Sequence, residues 1–272
     1  MKTKNTFIIL LTLVMVCACK TSPFTGKKTL NFVSNEELFP MAFQQYNEFL
    51  SENDVVTNTA DANMVKNVGA KIAKAAERYM TALGYPGYLN DYRWEYNLVK
   101  DEAVNAFCMP GGKIVVYTGI LPITQDEAGL AMVMGHELAH ALADHGAQRM
   151  SAGQLQQVAG AVGTVALGDS QAGQIFNQYY GVASDVGVML PFSRSHESQA
   201  DEIGTIIAAI AGYDPYQAAE LWKRMQANAS GQAPPELLST HPSSASRIQA
   251  LTQLAPRAKA EAQKFGVTSF KS

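Results

Sequence analysis

Apolar residues recur at helical spacing along much of the chain, interrupted by one block of strand-like alternation. Ser34-Asn35-Glu36-Glu37 has the form of a helix start, and Phe43, Tyr46 and Leu50 continue an apolar stripe behind it. Val65, Val68, Ile72, Ala76 and Tyr79 fall three and four apart, with Lys66, Lys71, Lys74 and Glu77 on the other side, which predicts an amphipathic helix ended by Gly84 to Gly87. Tyr92, Trp94 and Tyr96 then alternate with Arg93, Glu95 and Asn97, the pattern of a half-buried strand. Asn105 to Cys108 and Ile114 to Tyr117 predict two further strands, joined by Met109-Pro110-Gly111-Gly112 as a tight turn. Helical spacing returns in Leu130, Val133, Met134, Leu138 and Leu142, preceded by Thr124-Gln125-Asp126-Glu127 in the form of a capping box. It returns again in Ile203, Ile206, Ile207 and Ile210, and in a helix opened by Asp214-Pro215 that runs through Met225 and uses Leu221 and Trp222 as a brace for the core. The expected fold class is α+β, mostly helical, with a small antiparallel sheet beside the helix that contains Leu138.

Between Ser151 and Leu190 the composition changes: no Lys or Arg occurs, Asp169 and Asp185 are the only charges, and seven glycines are scattered through it. Such a stretch suits a mobile lid, a membrane- or partner-facing surface, or small-residue helices packed on the core. Gln171, Gln174, Asn177 and Gln178 argue against a membrane span.

The whole-chain numbers narrow the function classes. With 272 residues, 47% of them hydrophobic, the chain is long enough for a sizeable core. A net charge of −3, with no basic block or finger-type cysteine spacing, leaves nothing to recruit nucleic acid. Lys2 and Lys4 precede an apolar run from Phe7 to Val16 that is short for a membrane span. The run ends in Val16-Cys17-Ala18-Cys19, similar to a bacterial lipobox, so a signal peptide over 1–18 and lipidation of Cys19 are expected, with an ordinary secretory signal as the alternative. Lys20 after the acceptor favours the outer membrane of a Gram-negative cell, hence a lipid-anchored protein of the bacterial periplasm. Cys108 is then alone in the mature chain, a packed thiol without an intramolecular disulfide.

The chemistry concentrates in Gly135-His136-Glu137-Leu138-Ala139-His140. Residues four apart on a helix lie about 40° apart around the axis, so His136 and His140 project side by side, as two imidazoles must to share one Zn²⁺. Glu137 sits beside them, placed to take a proton from a metal-activated water. A catalytic zinc needs one more protein ligand. His145, five residues after His140, points about 140° away on a continuing helix and is rejected. Glu197 and Asp201 lie four apart on a predicted helix; one can bind metal while the other accepts a hydrogen bond from a ligand imidazole. His196 is an alternative ligand.

The order His136-Glu137-x-x-His140 … Glu197-x-x-Ala200-Asp201 resembles the gluzincin-type zinc metallopeptidase family of the CAAX prenyl endopeptidase, and within it the bacterial periplasmic lipoprotein branch that includes the β-barrel-assembly-enhancing protease. Thr25-Gly26-Lys27-Lys28, Asn105-Ala106-Phe107, Pro110-Gly111-Gly112, Tyr117-Thr118-Gly119, Gly212-Tyr213-Asp214-Pro215 and Thr240-His241-Pro242 are similar to that branch as well. The resemblance implies one zincin-like metallopeptidase domain over 29–256, following a lipid-anchored tether over 19–28 and followed by a tail over 257–272. It implies one Zn²⁺ held by His136, His140 and Glu197, with Glu137 as catalytic base and Asp201 behind a ligand. Asn105, Ala106 and Phe107 would be the strand edge that receives substrate. His241 and Arg247 would lie near the metal, as cations for the oxyanion or, as in some members, occluding the zinc; Pro242 in a helix's first turn would put Arg247 within two turns of His241. Tetratricopeptide repeats, frequent in that branch, do not fit into Pro256 to Ser272.

The expected activity is endoproteolysis of unfolded or misassembled envelope proteins, with protein substrates, a membrane anchor and envelope assembly machinery as partners. The alternatives are a lipid-anchored, zinc-stabilised assembly factor with a closed site, and a zinc hydrolase for a non-peptide substrate.

Overall fold

The stripe Val65, Val68, Ile72 and Ala76 is fully buried along a helix, Ala60–Ala82, capped by the Thr59 hydroxyl, which accepts from the Ala62 N–H. The computed structural model describes residues 19–31, 33–152, 193–229, 237–238, 241 and 244–272. By chain contacts they fall into two units, Met1–Ser34 with Gly146–Leu190 and Asn35–His145 with Pro191–Ser272. In the first, β1 (Cys19–Thr21) pairs antiparallel with β2 (Lys28–Leu30). The expected signal peptide over 1–18 and most of the glycine-scattered stretch over 151–190 lie outside the described residues. No helix among the described residues is long and apolar enough to cross a membrane.

The second unit carries the rest: α1 (Asn35–Glu52), β3 (Val55–Val56), α2 (Ala60–Ala82), β4 (Glu95–Val99), β5 (Ala106–Met109), β6 (Lys113–Tyr117), α3 (Leu121–Thr124), α4 (Glu127–Leu142), α5 (Arg194–Ile210), α6 (Tyr216–Asn228) and α7 (Ala245–Lys264). Helices dominate and a small sheet lies against α2 and α4, so the α+β expectation holds. The sheet runs β3-β4-β6-β5. Its β5–β6 hairpin and β3–β4 pair are antiparallel, whereas β4 and β6 run parallel with Tyr96 opposite Ile114 and Leu98 opposite Val116. The hairpin turn uses Gly111 at φ 81° and Gly112 at φ 87°, left-handed conformations that glycine adopts without steric cost. The alternating Tyr92 and Trp94 precede β4 rather than lie within it, because Gly111 and Gly112 carbonyls already accept from the Arg93 and Glu95 N–H groups as the chain enters the sheet.

Three boundaries differ from the sequence reading. The cap of α4 is Asp126, whose carboxylate accepts from the Gly129 N–H at 2.8 Å, not Thr124, which ends α3. Glu127 is thereby freed to meet Tyr213, Lys71 and Lys271. The last helix begins after Ser244, whose hydroxyl accepts from the Arg247 N–H, and not at Pro242, which lies outside the described residues. It continues through Pro256 to Lys264, so the first half of the expected tail over 257–272 is helical. Pro256 is exposed, and the lost N–H bond is tolerated on the solvent side.

Nearly every residue of α4 is buried, as expected of a helix packed on all sides. It meets α5 closely, α2 and α6 on other faces, and β5 and β6 along the sheet. A Cβ on Gly135 would lie 2.8 Å from the Gly204 carbonyl oxygen, and one on Gly204 would lie 2.7 Å from the Gly135 backbone. Two glycines therefore let α4 and α5 approach backbone to backbone, one residue before His136 and three after Asp201.

Candidate metal centre

That crossing juxtaposes the two motif helices. From α4 come His136, Glu137 and His140; from α5 come Glu197 and Asp201; His241 and Arg247 arrive from just before and within α7. All seven are buried. His136 Nε2 lies 3.1 Å from His140 Nε2 and 3.2 Å from His241 Nδ1. Glu197 Oε1 is 3.4 Å from His140 Nε2 and 2.9 Å from His241 Nδ1, and its Oε2 is 3.5 Å from His136 Nε2. The candidate ligand atoms of His136, His140, Glu197 and His241 all lie within 4.8 Å of one another.

This donor set fits zinc. A ring nitrogen offers either one hydrogen or one lone pair, yet His136 Nε2 faces both His140 Nε2 and His241 Nδ1, so a hydrogen bond satisfies only one of these contacts whereas a shared cation satisfies all of them. Tetrahedral zinc with bonds of about 2.0–2.1 Å separates its ligand nitrogens by about 3.3 Å, close to what the imidazoles present. Buried imidazole and carboxylate ligands of this mix are those zinc takes.

Behind the ligand atoms stands a charged scaffold. Asp201 Oδ1 is 3.1 Å from His136 Nδ1, within ion-pair range on the far side of the ring. Arg247 holds Asp201 bidentately, Nε to Oδ2 at 2.7 Å and Nη2 to Oδ1 at 2.8 Å, and its Nη1 is 3.0 Å from Glu197 Oε2. The guanidinium lies over the Trp222 ring at 3.6 Å, and Trp222 meets His136 edge-on, so the helix expected to brace the core does so through this ring.

Electrostatics follow from these neighbours. Burial alone would lower His136, but the Asp201 and Glu197 carboxylates beside it outweigh that and raise it to about 9. Burial holds His140 well below the ordinary imidazole value. Burial raises Glu137, the adjacent His241 and His136 opposing. Glu197 and Asp201 are both lowered: burial works against it, but the imidazoles, and for Asp201 also Arg247, prevail.

The structure brings His136, Glu137, His140, Glu197 and Asp201 together in one buried cluster. His241 lies nearer than expected, with Nδ1 among the ligand atoms and Nε2 3.7 Å from Glu137 Oε1. Arg247 is engaged with two carboxylates. His196 is not in the cluster of candidate ligands; its ring stacks on His145 at 4.2 Å. Ala106 and Phe107 lie on β5, the edge strand next to α4, and Asn105 precedes it with its carbonyl accepting from Tyr117 N–H. His145 lies outside the candidate ligand cluster; what the sequence reading missed is its contact with a ligand residue, because α4 ends at Leu142 and Asp144 takes φ 56°, which brings His145 Nδ1 to 3.0 Å from His140 Nδ1.

The profile of the family described as Peptidase family M48 matches residues 66–255. The chain is 32% identical over 240 residues to the mitochondrial metalloendopeptidase OMA1 of Schizosaccharomyces pombe, covering 87% of this chain and 66% of that protein. It is 30% identical over 251 residues to the mitochondrial metalloendopeptidase OMA1 of Homo sapiens, covering 88% and 46%. It is also 30% identical over 162 residues to the β-barrel assembly-enhancing protease of Escherichia coli, covering 57% and 33%. The chain thus spans between 33% and 66% of the length of these relatives. Six relatives are named as mitochondrial enzymes, and the matches to the two quoted above cover more of the chain than the β-barrel one does. This overturns the expected location in a bacterial periplasm on an outer-membrane lipid anchor: the relatives matched over most of the chain are named as mitochondrial proteins. The periplasmic reading rested on the first 20 residues, of which 1–18 lie outside the described residues, and on motifs similar to the bacterial lipoprotein branch.

Proposed function

The chain belongs to peptidase family M48, a family of zinc metallopeptidases, and on that premise we propose that it is a zinc-dependent endopeptidase acting on unfolded or misassembled proteins. One observation carries the reading: four buried ligand atoms from α4, α5 and the segment before α7 converge, with the Glu137 carboxyl buried beside them. His136, His140 and Glu197 would hold the metal, and the chemistry zinc would supply there is polarisation of the scissile carbonyl and a lowered pKa for a water.

The chain's own groups do the rest. Glu137, whose carboxyl burial raises, takes the proton of the attacking water and returns it to the leaving amine. Asp201 turns His136 by its Nδ1, and Arg247, clamped on Asp201 and Glu197 and stacked on Trp222, holds both carboxylates in place. An extended peptide adds to β5 by main-chain hydrogen bonds along Ala106–Met109, which presents a strand edge next to the helix that carries Glu137. The preference for unfolded chains follows from that mode, because a folded substrate has no free strand to offer; it also rests on likeness to the named proteases.

A second reading has its own observation. His241 Nδ1 lies among the candidate ligand atoms, 3.2 Å from His136 Nε2, which supports a closed site with His241 as a fourth ligand.

Glu137→Gln tests the function. The variant keeps about one zinc per chain by elemental analysis and loses cleavage of casein that the parent performs. A zinc-loaded parent that cleaves no unfolded protein, even with His241 replaced, leaves an assembly factor as the answer.

A further inference from the structure

Asp201 reaches the Nδ1 side of one ligand imidazole, His136; the structure assigns the same duty for the other, His140, to His145. We infer that His145 is a positioning residue: it accepts the His140 Nδ1–H, fixes that tautomer, and so aims the Nε2 lone pair of His140 at the metal. The inference rests on the zinc reading above and extends it to a residue outside the ligand set.

The geometry sets the polarity of the array from its outer end. His145 is fully buried, its Nε2 2.9 Å from Gln199 Oε1 and its Nδ1 3.0 Å from His140 Nδ1. An amide oxygen only accepts, so the His145 Nε2 carries the hydrogen. In a neutral ring the Nδ1 is then the acceptor, and the hydrogen between the two Nδ1 atoms belongs to His140. A neutral His140 with hydrogen on Nδ1 has its lone pair on Nε2, the atom that stands 3.1 Å from His136 Nε2 and 3.4 Å from Glu197 Oε1. Reversing any link would put a hydrogen on His140 Nε2, where a metal bond cannot form. The chain of donors thus runs from His140 through His145 to Gln199, with one consistent direction.

The rings are held for this. His196 stacks on His145 with ring centroids 4.2 Å apart and planes 16° from parallel, and the Ser193 hydroxyl accepts from the His196 N–H at the start of α5. Gln199 sits on the same helix, two residues after Glu197 and two before Asp201. One helix therefore supplies a candidate ligand, the carboxylate behind His136 and the amide behind His145. The five histidines of the chain form one connected set of rings, from His241 through His136, His140 and His145 to His196. Only the first three belong to the candidate ligand cluster.

Three variants of the full chain test this: His145→Phe, which keeps a ring and removes the acceptor; His145→Gln, which can restore an acceptor oxygen; and Gln199→Leu, which removes the outer amide from a half-buried site. Zinc affinity is read by chelator competition, and the ligand field by the visible spectrum of the cobalt-substituted protein. Expected are a zinc affinity about 10–100-fold lower with an altered cobalt spectrum in His145→Phe, recovery to within a few-fold in His145→Gln, and a smaller loss in Gln199→Leu. Should His145→Phe fail to fold, as judged by circular dichroism, Gln199→Leu carries the test: parental affinity and spectrum there overturn the inference. So does parental affinity in His145→Phe, or an equal loss in His145→Phe and His145→Gln, which would mark a packing role. A parent that binds no zinc overturns the proposed function as well; a parent that binds zinc while the variants match it overturns this inference alone.

Discussion

Gly135 and Gly204 touch through their backbones, and this contact sets the distance between the helix that carries His136 and His140 and the one that carries Glu197. A methyl on Gly204 would fall 2.7 Å from the His136 nitrogen, so the helices must part. Gly204→Ala is expected to cost about 1–3 kcal/mol of stability, as overpacking does, and to lower zinc affinity together with it. Urea midpoints and chelator competition measure the two. Undiminished zinc binding in the folded variant would show that the crossing does not govern the ligand geometry.

Asp201 and Arg247 form one unit, bidentate and buried. If they orient His136 and Glu197, Asp201→Asn lowers zinc affinity by about 10–100-fold, and Arg247→Lys, which loses the fork, does so in the same direction. An arginine that served the oxyanion instead would leave zinc affinity alone and depress kcat. Comparing zinc affinity with kcat for Arg247→Lys decides between them.

His241 occupies the fourth position of the ligand set. His241→Gln is accordingly expected to raise casein cleavage several-fold with zinc content unchanged. A fall of tenfold or more would instead make His241 the cation that steadies the oxyanion.

The metal-free site has a definite pH dependence. His136 is raised to about 9, so between pH 6.5 and 9 the folded, metal-free protein holds a proton that the unfolded chain releases. That contribution to stability is fully present below pH 6.5 and is lost as pH rises through about 9. Zinc must displace the same proton, so affinity should rise about tenfold per pH unit up to about pH 9 and then level off. Calorimetry at pH 7.5 in buffers of different ionisation enthalpy should detect about one proton released per zinc. No release would place His136 outside the ligand set.

Local spacing was enough for much of this protein. Four residues between His136 and His140, and four between Glu197 and Asp201, put each pair on one helix face whatever else the chain does, because the helical repeat is a property of the backbone. The same holds for the buried stripe Val65 to Ala76 and for the α+β class. Family likeness carried the chemistry but not the compartment, since the site residues are constrained by zinc and the amino-terminal address is not.

Tertiary structure decided what depends on distance between segments. No periodicity distinguishes Gly135 and Gly204 from other helical glycines; their meaning appears only when two helices cross there. His145 looked misdirected until Asp144, at φ 56°, turned the chain after α4. His241 and Arg247 come from a segment about a hundred residues beyond α4, and their parts follow from where that segment docks: one nitrogen into the ligand set, one guanidinium onto two carboxylates. A sequence states which groups a chain owns and how neighbours along it face; metal chemistry works over about 2 Å, and that closeness is made by packing.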